Sequence, residues 1–150
     1  MNSEVSLVEE VRFSVLSRRI KIIGIVIIVA LFITYLAGLF VTASYVNKDF
    51  AILNLISLIA CTAMCIVSIY IRKALLSKVN SKNFINKYFS THIISFAICE
   101  TGGLFSITTN LFINSNIMYA SVSVLIAIIY VFLNFPRHGD LGKLNLEKGV

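Results

Sequence analysis

One acidic residue, Glu100, lies inside a long apolar stretch of the chain. A charged side chain near the centre of a bilayer is costly, and the acids that occur there are commonly proton carriers or ion sites. A protonated glutamate can instead hydrogen-bond a neighbouring helix and so hold helices together. Two interpretations of Glu100 are therefore open, a functional carboxylate and a structural one.

A histidine, His92, lies about two helical turns before Glu100. Because imidazole titrates near neutral pH, His92 could pass protons toward Glu100. The alternative is a polar residue at a membrane boundary. The sequence contains no Ser-His-Asp set, no cluster of metal ligands and no glycine-rich phosphate loop. We therefore predict a protein that is not an enzyme and that has no cofactor.

Small side chains recur every four residues in two of the apolar stretches, and such ridges allow close helix contact in lipid. The ridges are Ser57, Cys61 and Cys65 in one stretch, and Thr91, Ser95, Cys99 and Gly103 in the other. They predict a tight antiparallel hairpin, with Glu100 beside the ridge and Gly102-Gly103 giving backbone room. Cys61 and Cys65 share a helix face, which could suit a metal, but no His or acid stands near them in sequence, so we expect packing residues and no metal site.

The composition fits elements that lie in a membrane. Hydrophobic residues make up 58% of the 150-residue chain and charged residues 13%, with a mean hydropathy of +0.91. A soluble domain is about half apolar and a quarter charged. Four apolar runs are long enough to cross a bilayer, at 22–46, 50–71, 90–113 and 117–135. We predict an all-α integral membrane four-helix bundle that forms one domain.

The basic residues lie at the edges of the apolar runs, which argues for membrane orientation and against nucleic acid as a partner of the +6 chain. Of 13 lysines and arginines, all but Lys48 fall in the tail 1–21, the loop 72–89 or the tail 136–150. We therefore predict a multi-pass protein of a bacterial cytoplasmic membrane, with these three segments cytoplasmic. The first tail either forms a surface helix from Ser6 or is frayed.

The stretch 97–107 reads Ala-Ile-Cys-Glu-Thr-Gly-Gly-Leu-Phe-Ser-Ile. It resembles the carboxylate helix of the proteolipid ring subunit, subunit c, of rotary ATP synthases, which typically reads A-x-x-E-x-x-x-I-Y-G-L. The hairpin 50–113 is similar in layout, with a polar cytoplasmic loop and the carboxylate on the returning helix. The chain departs from that family in three respects: 50–71 lacks its glycine run, the loop lacks an Arg-Gln-Pro-like motif, and two further spans flank the hairpin.

The resemblance implies that Glu100 binds and releases an ion, and that the hydroxyl of Thr101 could assist as in sodium-binding ring subunits. Those subunits use a Gln on the first hairpin helix, and 50–71 has none, so protons are favoured. We predict a small polytopic protein that binds or translocates protons as a homo-oligomer in the lipid bilayer. The alternative is a structural or accessory subunit in a hetero-complex with other membrane proteins, in which Glu100 is a neutral hydrogen-bonding group.

Overall fold

The computed structural model describes residues 2–41, 51–79, 84–137 and 140. They form four α-helices, which we label α1 (Asn2–Val41), α2 (Ala51–Leu76), α3 (Phe84–Ile107) and α4 (Ile117–Leu133). A π-helix, Thr108–Ile113, continues α3. No strand occurs in these ranges, so the predicted all-α class and its four helices are confirmed.

Three segments are long and apolar enough to cross a membrane: Val11–Val41, Ile52–Leu76 and Phe84–Ile113. The fourth helix, α4, has 17 residues. At 1.5 Å per residue it covers about 25 Å, a little less than the hydrocarbon thickness of about 30 Å. These lengths are compatible with the multi-pass arrangement expected from the sequence.

Helix bounds differ from the predicted ones mainly at the edges of the apolar runs. Residues 2–21 are helical and continuous with the first apolar run, so no separate helix begins at Ser6. Nothing in α1 interrupts the helix, since its sequence has no proline. The predicted loop 72–89 is shorter, because α2 continues to Leu76 and α3 begins at Phe84. The predicted end of the first span, 42–46, lies outside the described residues.

Two side chains of the π-helix bond back to the carbonyls of the preceding turn. Asn110 Nδ2 donates to the carbonyl of Ser106 (2.8 Å), and the Thr109 hydroxyl donates to the carbonyl of Phe105 (2.9 Å). Such back-bonding occupies carbonyls of the regular ladder and loosens the local helix. The chain then reverses at Ser115, which has a φ of 52°, and Asn116 caps α4 by accepting from Tyr119 N.

Helices α2, α3 and α4 pack against one another, and α1 packs against α3 and α4. Glycines mark close approaches. A Cβ at Gly102 would lie 3.4 Å from the Cys61 Cα, so α2 and α3 are in near backbone contact. A Cβ at Gly103 would lie 2.9 Å from Leu31 Cδ2 and 3.0 Å from Ala127 Cβ. Gly103 therefore lies where α1, α3 and α4 meet.

The contact at Gly103 predicts a clear stability effect. A Gly103→Leu variant should lose about 1–3 kcal/mol of unfolding free energy, since the larger side chain would displace the Leu31 side chain and the Ala127 methyl group. The matched control is Ala97→Leu, because Ala97 is exposed and lies about 120° around α3 from Gly103. The measurement is reversible denaturant unfolding in detergent micelles. Equal losses in both variants would contradict this packing.

Candidate functional site

Glu100 lies on the side of α3 that faces α1. Residues three and four apart share a helix face. Gly103 of that face meets Leu31 of α1, and the Phe96 ring comes within 3.1 Å of a Cβ built on Gly24. These two contacts also show that α1 and α3 run parallel. Glu100 is therefore level with the turn of α1 between Gly24 and Leu31.

The surroundings of Glu100 in this α1–α3 seam are apolar. Residues 22–33 of α1 have no hydrogen-bonding side chain. Glu100 itself is half-buried, and within the described part of the chain no hydrogen bond or ion pair reaches its carboxyl group. A charged carboxylate without a partner in such surroundings is costly. A proton, a bound ion or a polar group beyond the described residues would each remove that cost.

Thr101 does not join Glu100 in one site. Its hydroxyl donates to the carbonyl of Ala97 (2.8 Å), one turn back on the same helix, and its side chain is exposed. The backbone room that Gly102 and Gly103 were expected to give is taken by neighbouring helices: Gly102 faces α2, while Gly103 faces α1 and α4. The structure thus leaves the carboxyl group of Glu100 as a single group.

The seven residues of the two predicted ridges are all buried, and α2 and α3 form the most extensive helix pair. The seven are Ser57, Cys61, Cys65, Thr91, Ser95, Cys99 and Gly103. The three cysteines are free thiols. No group of three or more metal-ligating side chains suited to a metal ion occurs among the residues described.

His92 is fully buried and belongs to a polar cluster that the sequence did not predict. Its Nδ1 lies 2.7 Å from the backbone oxygen of Asn134, at the end of α4. The Asn134 side chain donates to Ser68 Oγ (2.8 Å), which lies 3.1 Å from Cys99 Sγ. We call this the His92 cluster; its members are Ser68, Arg72, Tyr88, His92, Cys99, Asn134 and Asp140.

The outer part of the His92 cluster carries its charges. Arg72 is only 8% exposed, and its Nη1 donates to the carbonyls of Leu133 (2.9 Å) and Phe135 (3.5 Å). A cation at this position is stabilised by the carbonyl end of α4. The Tyr88 hydroxyl donates to Asp140 Oδ2 (2.9 Å), which fastens the segment after α4 to the start of α3.

A second polar cluster lies toward the other end of the helices. Ser106 and Ser123 place their hydroxyls 2.6 Å apart, joining α3 to α4. Asn110 Nδ2 donates to Ser57 Oγ (3.0 Å), joining the π-helix to α2. We call this the Asn110 cluster, which also includes Asn54 and Asn114, whose side chains are 2.7 Å apart. Each of these bonds gives a buried polar group the partner that the surrounding apolar side chains cannot provide.

The structure does not bring His92 and Glu100 together. His92 points into the interior between α2, α3 and α4, whereas Glu100 lies in the α1–α3 seam. Within the described residues no hydrogen bond connects the two side chains. The relay from His92 to Glu100 stays a prediction, and the described residues form no hydrogen-bonded path between the two side chains.

Sequence reasoning missed most members of the two clusters. A signal was present, since each ridge continues with polar residues three and then four positions further on: Ser68 and Arg72 after Cys65, and Ser106 and Asn110 after Gly103. On α4 the residues Ala120, Ser123 and Ala127 form a comparable small face, which is buried.

No family model, curated protein or solved structure matches this chain.

The Ser106–Ser123 contact predicts an energetic coupling between α3 and α4. In a double-mutant cycle of Ser106→Ala and Ser123→Ala, we expect a coupling energy of about 0.6 kcal/mol, and at most about 1.7, as for other buried polar contacts between membrane helices. The measurement is unfolding in mixed micelles. The control pair, Ser106→Ala with Ser68→Ala, joins residues of different clusters and should be additive within about 0.5 kcal/mol. Equal coupling in both pairs would refute the contact.

Proposed function

We propose that this chain is a multi-pass membrane protein that binds and releases protons at Glu100 and acts as a homo-oligomer. One observation carries the proposal: the half-buried carboxyl group lies in an apolar seam and has no partner within the described chain. An intramembrane acid in such a position is a candidate proton carrier. The proton is the smallest species that neutralises this group.

The exposed surface supports placement in a bilayer. Every helix exposes large apolar side chains, for example Val26 (60%) on α1, Ile59 (59%) on α2 and Leu125 (59%) on α4. Water would not favour so extensive an apolar surface on a monomer. Glu100 lies near the middle of the 30-residue segment Phe84–Ile113. A carboxylate in the middle of a spanning segment lies near the bilayer midplane.

An oligomer is part of the proposal because the interior offers Glu100 no route. The polar clusters lie between α2, α3 and α4, whereas Glu100 lies in the α1–α3 seam. Ala97 and Thr101, the exposed neighbours of Glu100 on α3, are small. A second helix can approach closely at small residues. A neighbouring copy at this face would bring a polar group to the carboxyl group.

Glu100→Gln tests the proposed function directly. In liposomes with an imposed potassium gradient, we expect the wild-type protein to carry protons across the membrane. The rate of proton flux in the glutamine variant should be at least about tenfold lower, because a side-chain amide does not release a proton near neutral pH. Glu100→Asp keeps the acid and should retain part of the flux. Dicyclohexylcarbodiimide should label the wild type at Glu100.

The matched control is Glu147→Gln, which removes an acid from the C-terminal tail and should leave flux and labelling unchanged. Equal flux in wild type and Glu100→Gln would overturn the proposal.

A structural role is the second candidate, and the small exposed side chains beside Glu100 favour it too. In a hetero-complex the neutral carboxyl group would donate a hydrogen bond to a partner helix. That role predicts no proton flux in the wild type, together with loss of the complex in Glu100→Gln. The same two proteins, the wild type and Glu100→Gln, therefore distinguish the two candidate functions.

The proposed orientation, with both termini and the α2–α3 connection cytoplasmic, is tested by thiol labelling. A membrane-impermeant maleimide added outside intact cells should label Lys48→Cys and leave Lys78→Cys unlabelled, since the basic segments stay inside. The wild type is the control, because its three cysteines are buried. Labelling of Lys78→Cys without labelling of Lys48→Cys would show the opposite orientation and contradict the prediction.

A further inference from the structure

Exposed basic side chains from all four helical segments lie toward one end of the protein. None of them is buried, in contrast to Arg72 of the His92 cluster. We call this set the basic belt; its members are Arg18 and Arg19 on α1, Lys73 on α2, Lys87 on α3, and Arg137 just after α4. The contacts between the helices show how close in level these residues are.

The seam between α1 and α3 sets the level of the two arginines of α1. The rings of Phe13 and Phe84 are stacked, with their centroids 6.1 Å apart. The contact of Leu31 with Gly103 keeps nearly the same offset in sequence. Because the two helices run parallel in one register, residues 18–19 lie level with the second turn of α3, about one turn from the belt member on that helix.

Contacts at the end of α4 bring the other two belt residues close to this level. His92 Nδ1, early in α3, lies 2.7 Å from a backbone oxygen at the end of α4, and Arg72 donates to the carbonyl of Phe135 (3.5 Å). Lys73 follows Arg72 directly, and Arg137 lies two residues after Phe135. The belt residues of all four segments therefore lie within a few helical turns of one level.

The belt lies at the depth of lipid headgroups. The register of the α1–α3 seam places Arg18 about ten residues before the turn of α1 beside Glu100, which is about 15 Å at 1.5 Å per residue. With Glu100 near the midplane of a hydrocarbon core of about 30 Å, Arg18 lies where that core meets the headgroups. Side chains of a helix lean toward its N-terminus, so the guanidinium group of Arg18 reaches outward to the phosphates.

Acids of the described chain do not balance the charges of the belt. Among the side chains that the structure describes, Glu100 and Asp140 are the two acids, and Asp140 Oδ2 already accepts from the Tyr88 hydroxyl (2.9 Å) and from a backbone N–H (3.1 Å). Within the described residues, four belt side chains have no hydrogen bond or ion pair, namely those of Arg18, Arg19, Lys73 and Arg137. The belt therefore presents an excess of positive charge at the headgroup level.

We propose that the basic belt binds anionic phospholipids of the leaflet at that end in preference to zwitterionic ones. A guanidinium group holds a phosphate by two parallel hydrogen bonds. A zwitterionic headgroup carries its own cation, which the belt repels, whereas phosphatidylglycerol carries the negative charge alone. Lipid binding here requires the bilayer placement that the proposed function includes, but it does not require proton binding at Glu100.

Electron spin resonance of the full chain in phosphatidylcholine vesicles, with a trace of one spin-labelled lipid, tests this preference. Lipid held at the protein surface gives a motionally restricted signal. We expect phosphatidylglycerol to associate about fivefold more strongly than phosphatidylcholine, the factor that corresponds to one cation near an anionic headgroup. About 1 M NaCl should bring this ratio close to one, because the screening length falls to about 3 Å. Equal association of both lipids at low salt would overturn the proposal, and this readout needs no variant.

Three variants show whether the belt is the site. Arg18→Gln combined with Arg19→Gln should lower the association ratio about twofold, since two belt charges are lost, whereas Arg18→Lys with Arg19→Lys should retain most of it. Lys48→Gln, which removes a cation between the first two apolar runs, should leave the ratio unchanged. An unchanged ratio in the double glutamine variant would overturn the proposal. A ratio lowered by inorganic phosphate at constant ionic strength would do so too, because free phosphate would then be the occupant.

The lipid preference and the proton carriage fail separately. Glu100→Gln leaves the belt intact and should keep the association ratio of the wild type. A wild type without proton flux but with the lipid preference would contradict proton binding alone. A wild type with proton flux but without the preference would contradict lipid binding at the belt.

Discussion

Polar side chains that cannot reach water must find partners within the protein, and this constraint sets how α2, α3 and α4 fit together. Ser106 pairs with Ser123 at 2.6 Å, and Asn134 reaches Ser68 at 2.8 Å. The first contact joins α3 to α4, and the second joins α4 to α2. A one-residue slip of any of these helices would break bonds at both ends of the interior. Small residues between the polar ones then allow the helices to approach closely enough to form these bonds.

At the level of Glu100, helix α1 is held to the other helices by apolar packing, without buried polar contacts. Its glycine at position 24 receives the rings of Phe96 and Phe135, and Leu31 fills the space at Gly103. Packing of this kind is less directional than a hydrogen bond. Glu100 therefore lies at the boundary between a polar-bonded group of three helices and an apolar fourth. A change of its charge would act first on the contact between α1 and α3.

Much of the fold could be predicted because it depends on local patterns. Runs of apolar residues located the helices, and the four-residue spacing gave the buried faces of α2 and α3. The bounds of the helices were less accurate, because charged residues such as Arg72 do not end a helix when their stems and heads are accommodated by a neighbour. Two facts about the site could not come from one sequence. Periodicity places Glu100 beside its ridge but does not say which helix covers that side, and it does not show that His92 meets the end of α4, 42 residues further along the chain.

The distribution of polarity inside the protein bears on where an ion could move. The His92 and Asn110 clusters are separated by the thiols of Cys61 and Cys65, and the His92 cluster itself includes the thiol of Cys99; thiols are weak hydrogen-bonding groups. Cys99 adjoins Glu100 in sequence, so this weakly polar layer lies at the depth of the carboxyl group. An ion crossing the interior would lose its best hydrogen-bonding partners at that depth, where desolvation is most costly. Glu100 is the sole acid in the four predicted spans, and it faces away from this layer. The proposed proton exchange at Glu100, which lies in the α1–α3 seam, therefore agrees better with a neighbouring chain as partner than with conduction through the interior of a single copy.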